Sequence, residues 1–87
     1  MEMKTGMLVK SKAGHDKGKI YVIAGLDETY VYLVDGRGKT LTHPKKKRKK
    51  HVQPIHRQYE ISEADDRSIG SIVREYLKET TPDFREE

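Results

Sequence analysis

Six cations in unbroken succession, Lys-Lys-Lys-Arg-Lys-Lys at residues 45–50, constrain this chain more than any other feature. Adjacent like charges repel and demand water or counter-ions, so the run is expected unburied, as a surface loop. The chain before it has the opposite character. Residues 5–25 hold short apolar stretches punctuated by Gly6, Gly14, Gly18 and Gly25, the texture of β-strands and tight turns. A half built to fold, joined to a half that seeks polyphosphate, points to a small β body presenting a basic loop to RNA.

At 87 residues the chain has room for one small domain and an appended element. Its apolar content of 33% is low and its charged content of 37% is high, which leaves little core around which to build a two-substrate catalytic cleft. Without cysteine, disulfide frameworks and thiolate zinc sites are excluded. No stretch approaches the roughly 20 apolar residues of a membrane helix. The first residues lack the apolar core of a signal peptide. The expected location is therefore cytoplasmic, without membrane attachment, and the free protein is expected to be a monomer. The net charge of +4 conceals a division: residues 1–57 carry 14 Lys and Arg against 5 Asp and Glu, and residues 58–87 carry 4 against 9.

Along the chain, residues 6–12 are predicted as a strand, and residues 13–18 as a polar glycine-bounded turn. Residues 19–26 follow as a second strand with Ile20, Val22 and Ala24 on one face and Tyr21 and Ile23 on the other. Both faces are apolar, which predicts a central strand covered on each side. Residues 30–34, Tyr-Val-Tyr-Leu-Val, are dense in β-formers. Asp35-Gly36 is a hairpin signal, and residues 39–42 predict a short fourth strand around Leu41. A fifth, around Val52 and Ile55, is interrupted by Pro54. Five short strands joined by tight turns predict a small barrel or a rolled sheet. Beyond Glu60 the pattern changes. Ile69, Ile72, Val73, Tyr76 and Leu77 form one apolar stripe at helical spacing, predicting an amphipathic helix over 66–79. Ser62, Glu63, Ala64 and Asp65 are a candidate capping box at its start, Pro82 a candidate stop, and the residues from Asp83 onward a disordered tail. The expected division is 1–58 for the β body and 59–87 for the acidic helix and tail.

The segment 5–34 resembles the KOW motif of ribosomal proteins and NusG-type elongation factors. Gly6 opens its first strand, Val9 lies within it, Gly14 ends it, Lys17-Gly18 makes the turn and Ile23 lies in the second strand. Gly18 stands at the defining glycine, where a tight turn requires positive φ. With Asp35-Gly36, Leu41, His43-Pro44 and the basic run through His51-Val52, the likeness extends over residues 5–53. It is then to the archaeal and eukaryotic large-subunit ribosomal protein family fourteen-e and, more closely, to its short bacterial KOW-domain relatives. Tyr21 and Val22 depart from the motif, which often has small or basic residues there. The resemblance implies a mainly β fold, an SH3-like barrel of about five strands with the helix appended, and binding to ribosomal or other structured RNA on or near the large subunit.

The expected RNA contacts are Lys45, Lys46, Lys47, Arg48, Lys49 and Lys50 as phosphate clamps. Lys10, Lys12, His15, Lys17, Lys19, Arg37 and Lys39 extend the positive surface, and His43, His51 and Arg57 lie at its edge. Such a run positions a backbone rather than reading bases. Tyr21, Tyr30 and Tyr32 are candidates for stacking on bases or for ordinary packing, and Tyr30 and Tyr32 share a face. His15, His43, His51 and His56 lack the spacing of a helical metal pair, so no metal or cofactor is expected. Asp16, Asp27, Glu28 and Asp35 are explained as turn residues, and no nucleophile–base–acid set stands out, so no enzyme is expected. The stripe Ile69, Ile72, Val73, Tyr76 and Leu77 is expected either to dock on the β body or to engage a partner protein. Alternative roles are a protein-interaction module of the transcription or translation machinery, and a DNA-associated barrel. Residues 44–49 also resemble a nuclear import signal.

Overall fold

The computed structural model describes residues 2–80. Five strands form one antiparallel sheet: β1 (Met7–Ser11), β2 (Ile20–Leu26), β3 (Tyr30–Val34), β4 (Lys45–Arg48) and β5 (Val52–Gln58), in the spatial order β4-β3-β2-β1-β5. One helix, α1 (Asp66–Thr80), follows. β1, β2, β3 and α1 lie where the sequence predicts them.

The period-two alternation of β2 builds two cores. Tyr21 and Ile23 face one side with Met7, Val9, Val31, Leu33 and Val52. Ile20 and Val22 face the other with Leu8, Val34, Ile69 and Val73. The second core exists because α1 lays its stripe on that face. Ile69 is fully buried and Val73 nearly so, while Leu77 remains 43% exposed. The stripe thus serves the chain's own sheet, and only its last member faces solvent.

The expectation of a closed barrel is corrected: the sheet is open, with β4 and β5 as its two edges. Yet a single 3₁₀ turn, Lys49–His51, joins those edges. Three residues span about 10 Å at most, so the sheet must curl until its edges approach at that corner. The turn's backbone bonds elsewhere, Lys49 N–H to Thr29 O (2.9 Å) and Lys12 N–H to His51 O (2.8 Å), and no β4–β5 ladder forms.

Two further expectations are corrected. Residues 39–42 form no strand; a single bridge joins Thr40 to His43, and the Leu41 N–H donates to Asp66 Oδ1 (2.8 Å) instead. The strand lies later, in residues 45–48, within the cationic run expected as a loop. An edge strand permits this, because alternate side chains can stand in water. Pro54 is tolerated within β5 for a related reason, since an edge strand has one side without ladder partners.

At the helix start the cap is Asp65 rather than a box built on Ser62: Asp65 Oδ1 accepts from the Ser68 N–H (2.9 Å). The expected helix stop at Pro82 and the tail beyond it lie outside the described residues.

Candidate nucleic-acid interface

The register of β3 against β4 divides the cationic run by side. Tyr30 pairs with Arg48, Val31 with Lys47, Tyr32 with Lys46 and Leu33 with Lys45. Because side chains alternate, Lys45 and Lys47 share a face with Val31 and Leu33, over the first core. Lys46 and Arg48 share the opposite face with Tyr30 and Tyr32.

On the inner face, Lys47 corrects the expectation that the run cannot be buried. Its side chain is 11% exposed, and its ammonium donates to Asp16 Oδ1 (3.1 Å) and to the Ala13 carbonyl (3.0 Å). Lys45 reaches the same carboxylate at 3.9 Å. Asp16, itself buried, also accepts from the Ser11 hydroxyl (2.9 Å) and the Tyr21 hydroxyl (3.1 Å). Burial pushes the Asp16 carboxyl up, but hydrogen bonds from Ser11, Lys47 and Tyr21 outweigh it and hold it below its ordinary value. Burial, and then the Asp16 charge, push the Tyr21 phenol up. Asp16 is therefore far more than a turn residue. It ties the β1–β2 loop to β4 across the mouth of the curled sheet, where no backbone ladder does so.

On the outer face the geometry is open. Lys46 Nζ lies 4.3 Å from the Tyr30 ring centroid and Arg48 Cζ 5.8 Å from it, both within cation–π range. Tyr32 donates its hydroxyl to Asp27 Oδ2 (3.0 Å). Asp27 Oδ1 also accepts the N–H groups of Tyr30 (2.7 Å) and Thr29 (2.9 Å), and these backbone bonds hold its carboxyl low. Lys46 and Arg48 are exposed, as is Lys50, while Lys49 is half-buried. Among the described residues no carboxylate lies within ion-pair distance of Lys46, Arg48, Lys49 or Lys50.

The remaining residues of the expected surface fall into groups. Lys17 and Lys19, with His15, are exposed on the β1–β2 loop, and Lys10 and Lys12 are exposed along and just after β1. Arg37 is exposed and Lys39 half-buried in the β3–β4 connection, and His43 is exposed at its far end. Arg37 and Lys19 line a groove with Arg74 of α1, away from β4. His51 is half-buried in the 3₁₀ turn. Arg57 is committed to the helix: it pairs with Glu79 and lies 5.5 Å from the Tyr76 ring centroid. Among the described residues no three His, Asp or Glu side chains gather as a metal site, and no helix is long and apolar enough to cross a membrane.

No protein-family model matches the chain, and no curated protein matches it in sequence.

Proposed function

We propose that this protein is a non-catalytic RNA-binding domain that grips phosphates with the outward cations of β4 and the turn after it. The observation that carries this reading is the division of the run. One carboxylate, Asp16, engages Lys45 and Lys47, while Lys46, Arg48 and Lys50 stand in water with no acidic partner among the described residues. Cations on an edge strand also discourage pairing with another chain, but these flank half-buried tyrosines, with Asp27 acting on Lys46 at longer range. Phosphate gives them a partner, and its neutralisation releases counter-ions.

The KOW resemblance of residues 5–53 extends the reading to an SH3-like barrel relative, with the curled five-strand sheet as its open form. It also extends the ligand to structured RNA of the large ribosomal subunit or of an assembling ribosome.

The test is a salt titration of binding to a structured RNA fragment. Lys46→Gln with Arg48→Gln is expected to weaken binding and to lower the slope of log K against log salt by about 0.7–0.9 for each phosphate no longer neutralised. Folding stability should fall by only about 1 kcal/mol, the scale of the lost contacts with the Tyr30 ring. Lys47→Gln is expected to do the reverse, lowering stability while leaving the slope nearly intact. Equal slopes in wild type and the Lys46/Arg48 variant would overturn the clamp. RNA binding that persists undiminished at high salt would mean that contacts other than phosphate neutralisation carry it, and would also overturn the clamp.

A further inference from the structure

From the open end of the outer sheet face, and resting on the RNA reading above, we infer that the protein holds an unpaired RNA base on Tyr30 and Tyr32, next to the phosphates that β4 grips. The outer face has two ends. Helix α1 covers the end formed by Leu8, Ile20, Val22 and Val34. Tyr32 and Tyr30, two and four residues before Val34 on the same side of β3, belong to neither core. They are half-buried rather than packed away.

The other tyrosine rings are spent. Tyr21 is 2% exposed and bonded to Asp16, and Tyr59 and Tyr76 pack against the helix-side core. Among the described residues, only the β3 pair presents rings beside unpaired cations.

Their surroundings fit a nucleotide. Across from Tyr32 on β2 stands Gly25, where even an added Cβ would sit 4.0 Å from the Tyr32 ring, so no side chain crowds it from that strand. Tyr30 carries the Lys46 ammonium on its face. That cation shows that the ring face is reachable from the β4 side, and it can swing to a phosphate when a base takes its place. The polarity of the site orients the ligand. Asp27, held ionised by backbone donors at the β2–β3 turn, repels phosphate from the Tyr32 hydroxyl side. Lys46, Arg48 and Lys50 attract it on the β4 side. The backbone then runs along β4 and the base lies inward over β3. Stacking of this kind tolerates any base, because every base has a π-face.

A duplex cannot offer such a base without unstacking it, so the ligand is an RNA with a loop or bulge beside a structured stem. The test compares a hairpin RNA bearing an unpaired loop with a fully paired duplex of the same stem, at one salt concentration. Wild type is expected to bind the hairpin about tenfold more tightly. Tyr30→Leu and Tyr32→Leu should lose that preference, and Tyr30→Phe and Tyr32→Phe should keep it. Should a leucine variant fail to fold, wild-type tyrosine emission decides alone, since the chain has no Trp: quenching by the hairpin but not by the duplex supports stacking. Equal binding of hairpin and duplex, still steeply salt-dependent and unchanged in the leucine variants, overturns stacking and leaves the phosphate clamp standing. Binding of neither RNA at low salt overturns both.

Discussion

Asp16 shows how one residue can take the place of a missing ladder. Its carboxylate receives two hydroxyls and two ammonium groups from β1, β2 and β4, and the Lys47 side chain that meets it is nearly as buried as its own. Asp16→Asn removes the charge and strands Lys47, which should cost about 2–3 kcal/mol at neutral pH. The pH dependence has a definite sign. The folded carboxyl titrates below its ordinary value of 3.8, so its contribution is complete above that value and is lost as pH falls through the lower folded one. Urea unfolding from pH 6 down to pH 2 should therefore show wild type losing stability in acid and the Asn variant following a flatter curve. Parallel curves would mean that the Asp16 carboxyl titrates alike in the folded and the unfolded chain. Nothing local marks Asp16: it sits in a glycine-bounded turn where aspartate is ordinary. Its partners at Ser11 and Tyr21 are each five positions away, and Lys47 is 31 away, so the hub emerges only once β4 is in place.

At the scale of elements, what was legible depended on whether apolar side chains wrote the period. β2 and β3 alternate visibly, and α1 carries its stripe at helical spacing, so all three were readable as elements. β4 writes its alternation in cations alone, and a strand of like charges is indistinguishable from a loop until its edge position and register are known. The outer patch was hidden for the same reason. Tyr30 meets Lys46 and Arg48 through a pairing set after the connection 35–44, which Asp35 folds on itself and which touches the helix at Leu41 and Gly36. Gly36 is central to that contact. With φ of +82°, its missing Cβ would lie 2.3 Å from Asp66 O and 2.6 Å from Gly70 N. Backbone atoms cannot yield as side chains do, so Gly36→Ala must push the turn off α1. A loss of about 3 kcal/mol is expected. Gly18 offers the control, because its φ is +90° but nothing lies within 4 Å of an added Cβ. Gly18→Ala should cost only the conformational term, about 1 kcal/mol. Chemical denaturation of the two variants separates them, and equal losses would show that crowding at Gly36 relaxes without consequence.

For the whole molecule, the chemical division of the chain and its physical division differ. Charge changes sign near residue 58, from 14 cations against 5 anions before it to 4 against 9 after it, which suggests a basic body and a separable acidic appendage. Packing joins them. The second core is shared between sheet and helix: Ile69 and Val73 are buried against Leu8, Ile20, Val22 and Val34, while Ile72 and Tyr76 pack around them. An antiparallel sheet often leaves one face in water, but this one has apolar side chains on both faces and needs a cover. The helix, whose three acidic and three basic side chains balance, thus covers one end of that face and leaves the tyrosine end uncovered. A chain ended after residue 58 would expose that apolar face as a contiguous patch. Such a truncation should lose cooperative unfolding and bind a hydrophobic dye, with RNA affinity falling along with the fold. If the truncated chain instead unfolded in one sharp transition and bound RNA more tightly than the full chain, the acidic segment after residue 58 would be a removable mask over a body stable by itself.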